Sequence, residues 1–158
     1  MMLTAPFAAL ASETLTTVLM ERCFKLARNG DPVKTNGLKQ LRGSEAEDWK
    51  QGLSGRVYDA GQDPQNRLIL IVPRRKTEPV CLVIHRGLNG RSFDQFMNKQ
   101  KGLALTEVNG LASNEDGVRT RALGSIKGPR QLTLLGAHVD LLQSSTFFVH
   151  TQQSLGAQ

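Results

Sequence analysis

The sequence predicts an α+β domain, in which an N-terminal helix and one or two short helices pack on an antiparallel β-sheet. Two continuous apolar runs, LILIV at 68–72 and VCLVI at 80–84, predict strands that are covered on both faces. Further short strands follow a third helical segment. Strands that cluster while the helices stay separate indicate an α+β fold rather than a doubly wound parallel sheet.

The first helix is predicted at about residues 5–28. Thr4 can cap it, and Pro6 is tolerated in a first turn. Asn29-Gly30 supplies a stop signal after it. Apolar residues recur at helical spacing, with one polar interruption at Arg22; they are Leu15, Val18, Leu19, Cys23 and Leu26.

The next segments predict a short helix and then a hairpin. A turn of helix is expected near Leu38 and Leu41, and a capping-box pattern, Ser44 with Glu47, predicts a helix at about 45–51. A short strand follows at 55–60. The two apolar runs should then pair as an antiparallel hairpin, because proline bounds each of them at the five-residue polar loop RRKTE.

The remainder predicts one helix and several strands. Ser92 with Gln95 is a second capping-box pattern, and the helix should continue to about Lys101. Strands are expected at about 103–108, 118–126, 131–137 and 146–150, in a single domain covering residues 1–150 with a flexible tail at 151–158. The stretch RALGSIKGPRQLTLLGAHVDLL, with SGRVYDAG as an opening strand, resembles an OB-like barrel. That resemblance implies a partly closed barrel as an alternative to an open sheet.

Composition and cysteine usage indicate the compartment. The chain has 158 residues, 39% of them hydrophobic, without the run of about twenty apolar residues that spans a bilayer. A secretory signal pattern is also missing, so a cytoplasmic location is predicted, with secretion without a cleaved signal peptide as the alternative. Cys23 and Cys81 lie in apolar segments, which predicts buried, reduced thiols. A single disulfide is the alternative.

The net charge of +6 is concentrated in one segment. Residues 67–101 hold eight basic residues against Glu78 and Asp94, whereas both flanks balance to zero. We expect seven of these cations to form one electropositive surface for an anionic partner; they are Arg74, Arg75, Lys76, Arg86, Arg91, Lys99 and Lys101. Aromatic residues make up 5% of the chain and do not interleave with the cations, which argues against base stacking. The DNA or RNA backbone, or an acidic protein surface, remains as the target.

Catalytic patterns are weak. The histidines, His85, His138 and His150, lack metal-ligand spacing, and glycine-rich phosphate loops are missing, so neither a metal nor a cofactor is predicted. Cys81 followed by His138 and Asp140 has the order of a thiol enzyme, but a cysteine in mid-strand is typically inert.

One further pattern points to an enzyme family. Arg86-Gly87 at a strand end, followed by Ser113, resembles the ADP-ribosyltransferases. The resemblance implies an NAD-holding arginine and a serine-bearing strand, but the terminal Glu-x-Glu is missing. The predicted function is therefore a non-catalytic binding domain whose first expected target is nucleic acid. The alternatives are a protein-interaction module (adaptor, chaperone or secreted effector) and, third, an enzyme without a recognisable motif.

Overall fold

A computed structural model describes residues 14–61, 66–75, 77–101, 105–108, 113–125 and 131–151. It has the predicted α+β class, with three helices on an antiparallel sheet. The first helix, α1, is wound as a π-helix at Thr17–Phe24 and continues as an α-helix at Lys25–Arg28. Helix α2 spans Gly43–Lys50, and α3 spans Gly90–Lys101.

The sheet contains nine described strands, all paired antiparallel. They are β1 (Lys39–Leu41), β2 (Arg56–Asp59), β3 (Leu68–Val72), β4 (Cys81–Arg86), β5 (Leu105–Glu107), β6 (Ser113–Glu115), β7 (Val118–Ser125), β8 (Leu132–Val139) and β9 (Ser144–Thr151). Their spatial order is β1-β2-β3-β4-β9-β8-β7-β5, and β6 also pairs with β7. Within the described residues the sheet is open, so the strands do not form the alternative OB-like barrel.

The central hairpin forms as predicted. Strands β3 and β4 pair with Leu70 opposite Val83 and Ile71 opposite Leu82. On its other side β4 pairs with β9, where Phe147 lies opposite Val83. The sheet is therefore completed at its centre by the last of the described strands.

Alternation along the strands gives the sheet two distinct faces. Helices α1 and α3 cover one of them, which we call the α3 face; its buried residues include Tyr58, Leu70, Val83, Leu134 and Phe147. The opposite face, called the α2 face, packs Ala46 and Trp49 of α2 against a second buried cluster from β1 to β4; that cluster contains Leu41, Val57, Ile69, Ile71 and Leu82. Both apolar runs are thus covered on both sides, as their composition predicts.

The prediction of free thiols is wrong. Cys23 of α1 and Cys81 of β4 are joined in a disulfide, with their Cα atoms 6.4 Å apart. Burial is correctly predicted, since both residues are 0% exposed. Each cysteine occupies an apolar position because it lies where α1 packs on the sheet, and that packing also brings the two sulfurs together.

Local signals predict the structure less accurately than the strand patterns do. The helical turn expected near Leu38 and Leu41 is instead strand β1 at Lys39–Leu41. Helix α3 begins before Ser92, and Asn89 caps it, since its Oδ1 accepts from the Ser92 N–H at 2.8 Å. Strand β6 is missed by the sequence pattern.

Smaller features are the polar position in α1 and the two ends of the chain. Arg22 interrupts the apolar stripe of α1 because its guanidinium donates to the carbonyls of Lys34 and Asn36, at 3.0 and 2.9 Å. Strand β9 extends to Thr151. The predicted tail beyond it, and the predicted cap at Thr4 and Pro6, lie outside the described residues.

Candidate functional site

Two of the predicted cations lie at the tip of the β3–β4 hairpin. Arg74 and Arg75 are both exposed there, and Lys76 lies outside the described residues. The backbone of the tip is held in place: the Arg74 N–H donates to Ser54 Oγ at 3.0 Å, and the Ser54 N–H donates to Glu78 Oε2 at 3.0 Å. Ser54 Oγ also donates to Glu78, and these bonds lower the pKa of the Glu78 carboxyl.

The other predicted cations lie elsewhere. Arg86 ends β4, about 17 Å from the start of that strand at the tip, and it alternates with Leu82 and Ile84 on the α2 face. Arg91 and Lys99 are exposed on α3, which covers the opposite face, and Lys101 is the last residue of that helix. The structure thus distributes the described members of the predicted surface over three separate places.

Trp49 is a contact point that the sequence pattern does not single out. It is 8% exposed, and its ring lies between α2 and the sheet. The Arg86 guanidinium carbon lies 4.2 Å from the ring centroid, and that of Arg67 lies 5.5 Å from it, both within cation–π range. Arg67 is neutralised by Asp59, whose Oδ2 lies 3.0 Å from its Nη2.

A cleft of about 690 Å³ opens beside Trp49 on the α2 face. The end of α2 forms one wall, and β4, β9 and the β8–β9 turn form the floor and the other wall. Its lining is mostly apolar; it includes Leu53, Leu82, Ile84, Arg86, Val139, Leu142 and Phe148. A volume of this size lies in the range of ligand-binding pockets.

Beyond the cleft, none of the described helices covers the α2 face of the sheet. The outward side chains of β8 and β9 are half-exposed there, among them Leu135, Val139 and Phe148. The β8–β9 turn projects two leucines, Leu141 at 92% exposure and Leu142 at 68%. Ser144 and Thr146 share this face, so its apolar part is a patch. An apolar patch that is continuous with a cleft and flanked by an exposed leucine is typical of a surface that contacts another molecule.

A buried polar chain lies on the α3 face. His138 and Ser145 are both 0% exposed, and His138 Nδ1 lies 2.7 Å from Ser145 Oγ. His138 Nε2 lies 3.4 Å from Asp140 Oδ1, and the Phe93 ring of α3 stacks on the imidazole at 5.5 Å. The serine lies at Nδ1 and the aspartate at Nε2, which is the reverse of a hydrolase triad, and Ser145 is fully buried, so a substrate carbonyl cannot reach it. Cys81, whose order before His138 and Asp140 is that of a thiol enzyme, is held in the disulfide.

We expect acid to destabilise the fold through the histidines. Burial lowers the pKa of His85, His138 and His150 below the ordinary value of 6.5. For His138 the carboxylates of Asp140 and Asp94 partly oppose the effect of burial on the pKa, and Arg119 adds to it. The unfolded chain therefore binds more protons, so the free energy of unfolding should fall as pH drops below 6.5 and recover as pH rises. Urea unfolding at pH 7.5, 6.5 and 5.5 measures this, in a range above the titration of Glu78.

Replacement of single histidines tests the cause. His138→Gln should reduce the fall in stability between pH 7.5 and 5.5, whatever its effect at pH 7.5. His150→Gln is the matched control for a histidine outside the buried chain. It should reduce the fall in the free energy of unfolding only by the part that His150 itself contributes. If acidification stabilises the wild-type protein, the buried neutral histidines are not what sets its pH dependence.

The resemblance to ADP-ribosyltransferases depends on Arg86 and Ser113. These two residues lie far apart in this fold. Three strands, β9, β8 and β7, separate β4 from β6, and Ser113 Oγ bonds Thr120 Oγ1 at 2.9 Å.

In the described part of the chain there is no group of three or more metal-ligating side chains. None of the described helices has the length and apolarity needed to cross a membrane. No family model, curated protein or solved structure matches the chain.

Proposed function

We propose that this domain binds another protein through the α2 face of its sheet, as an adaptor or chaperone does. The observation that carries the proposal is the cleft beside Trp49, which continues into the half-exposed apolar side chains of β8 and β9. Burial of such a surface releases about 25 cal/mol per Å² of apolar area. Leu142, which is 68% exposed, lines the cleft and extends the same apolar surface.

Cation placement supports a protein partner over nucleic acid. A nucleic-acid backbone is bound by several cations that track neighbouring phosphates. The described cations of residues 67–101 are instead divided between the hairpin tip, the Trp49 ring and helix α3. The α2 face offers an apolar surface with few charges, which fits a protein segment better than a polyphosphate chain.

Nucleic acid remains a second candidate because Arg74 and Arg75 are exposed on a tip that Ser54 and Glu78 hold in place. A gel-shift titration against DNA and RNA at two salt concentrations tests it. If phosphates are contacted, Arg74→Glu with Arg75→Glu should weaken binding to all sequences alike and flatten the salt dependence. Absence of binding at low salt would exclude this candidate.

Peptide selection tests the protein-binding proposal directly, because it does not require the partner to be identified first. A displayed library of random twelve-residue peptides is selected on the wild-type protein, and the enriched peptides are then measured by fluorescence polarisation. Leu142→Asp places a charge on the cleft wall, so we expect it to weaken these peptides at least tenfold. Leu141→Asp is the matched control, since Leu141 is its neighbour and more exposed but does not line the cleft.

Two results would contradict the proposal. In one, the selection enriches no peptide above the background of an unrelated protein. In the other, the enriched peptides bind Leu142→Asp as tightly as the wild type. Both leucines are highly exposed, so neither substitution should unfold the domain, and thermal unfolding verifies this.

We also infer an oxidising compartment for the chain, the second of the two locations considered from the sequence. Structural disulfides persist in secreted and periplasmic proteins and are rare in the cytosol. The Cys23–Cys81 bond supports that location. Alkylation in denaturant followed by mass spectrometry tests it, because both cysteines are buried in the native protein. Protein exported to a bacterial periplasm should carry no label until it is reduced, and then two. Labelling of the exported, denatured protein without reductant would contradict the inference.

A further inference from the structure

We propose that the segment bound in the cleft is acidic and amphipathic: one large apolar side chain enters the cleft, and a neighbouring carboxylate pairs with Arg86. This inference rests on the proposed function and adds the chemistry of the partner. The carboxylate binds at the mouth of the cleft, where Arg86 lies against Trp49. The apolar anchor fills the space over Ile84 and Phe148.

The charged residues that line the cleft favour an acidic partner. Among the described residues that line it, the charged ones are Lys50 and Arg86, both cations. Lys50 already pairs with Glu47, whose Oε1 lies 2.9 Å from its Nζ. Among described residues no carboxylate pairs with Arg86, although the other guanidinium on Trp49, that of Arg67, is neutralised by Asp59. Within the described part of the cleft, Arg86 is thus the one cation whose charge is left for a partner.

The contact with Trp49 prepares Arg86 for a carboxylate. Attraction to the ring face limits the positions of the guanidinium without using its five N–H donors. A planar guanidinium held in this way loses less conformational freedom when it forms two parallel hydrogen bonds to one carboxylate. Lysine at this position would offer a point charge without that geometry.

The spacing within the site defines the segment. Arg86 and Ile84 are alternate residues on the same face of β4, so their side chains stand about 7 Å apart. The apolar anchor and the carboxylate of the partner should have a similar separation. Residues four apart in a helix, or two apart in a strand, meet this requirement. The short edge strands of the sheet, β1, β5 and β6 with three residues each, favour docking on the face over strand addition.

The experiment uses the enriched peptides and one substitution at each side of the contact. We expect Asp or Glu near a large apolar residue in the selected peptides. Arg86→Gln should weaken them about tenfold, the loss that a charged hydrogen bond of about 1.4 kcal/mol implies. Changing the acidic residue of the peptide to its amide should cause a similar loss on the wild-type protein and almost none on Arg86→Gln. Arg91→Gln is the control, because it removes the same net charge from the opposite face.

Each outcome separates this inference from the proposed function. If peptides bind, depend on Leu142 and ignore Arg86→Gln, the partner is a neutral apolar segment and the inference is wrong while the proposed function stands. If Arg91→Gln weakens them equally, attraction to net charge alone explains the acidic residues and the pairing with Arg86 is wrong. Dodecanoate, an apolar chain with one carboxylate, is the remaining probe: binding that depends on Arg86 when no peptide enriches would assign the cleft to a small amphiphile and overturn both.

Discussion

Reduction of the Cys23–Cys81 disulfide should lower the free energy of unfolding by about 4 kcal/mol, because the bond closes a long loop in the unfolded chain. The two cysteines are 58 residues apart in sequence, and the bond ties α1 to the centre of the sheet. A loss of this size is a large part of the roughly 5–15 kcal/mol that stabilises a typical domain. Urea unfolding of the wild-type protein with and without a phosphine reductant measures it.

The control separates the cross-link from the packing of the sulfurs. Cys23→Ala with Cys81→Ala also removes the bond, but it leaves small cavities that add to the loss. The reduced wild-type protein keeps both sulfur atoms, so it reports on the cross-link alone. Both cysteines are 0% exposed, so reductant should act on the native protein only through unfolding. Equal unfolding curves for the oxidised and reduced proteins would show that the disulfide adds nothing to stability.

Substitution of Gly136 by valine should destabilise the domain by about 3 kcal/mol through overpacking. Gly136 lies in β8 directly beneath α3, where a Cβ atom would stand 2.9 Å from Phe93 Cε2 and 3.0 Å from Met97 Sδ. Phe93 and Met97 are both 0% exposed, so neither ring nor thioether can move outward without displacing the helix. Chemical denaturation of Gly136→Val measures the loss.

A second substitution on α3 tests whether the helix contact is the cause. Phe93→Leu alone should destabilise the protein, because it leaves a cavity against Phe147. Combined with Gly136→Val it should cost less than the sum of the two single losses, since the smaller side chain leaves room for the valine. Gly117→Ala is the control for glycine replacement in general: its Cβ would meet no atom within 4 Å, so its cost comes from the positive φ of 75° alone. If the losses of Phe93→Leu and Gly136→Val simply add in the double variant, the contact with Phe93 is not what makes the valine destabilising.

The sheet could be predicted from sequence where its signals are local. The runs at 68–72 and 80–84 are adjacent in the chain, and proline bounds them, so their pairing follows from the sequence alone. The pairing of β4 with β9 could not be predicted, because it joins segments about 60 residues apart, and nothing in VCLVI specifies which distant strand lies beside it. The disulfide has the same origin: it depends on how α1 lies across the sheet.

The candidate site is harder to predict because cations that are close together in the sequence can lie far apart in the fold. Residues 67–101 hold the whole excess of cations, but β4 alternates its side chains between the two faces and carries the chain from one end of the sheet to the other. Arg74 and Arg86 therefore lie far apart although one hairpin contains both. No local pattern around Trp49 or Phe148 indicates a site, and only the register of β9 shows that Phe148 borders an open cleft.

The position of β9 also determines how this chain acquires its structure during synthesis. Strand β4 is made before its second neighbour in the sheet, β9, and the chain between them takes roughly 3 to 12 s to translate. Throughout that interval one edge of β4 is unpaired, and Val83 lacks the covering side chain of Phe147. The nascent domain is therefore open to self-association until β9 emerges. A chaperone that shields hydrophobic edges would act in this interval, before β9 pairs with β4.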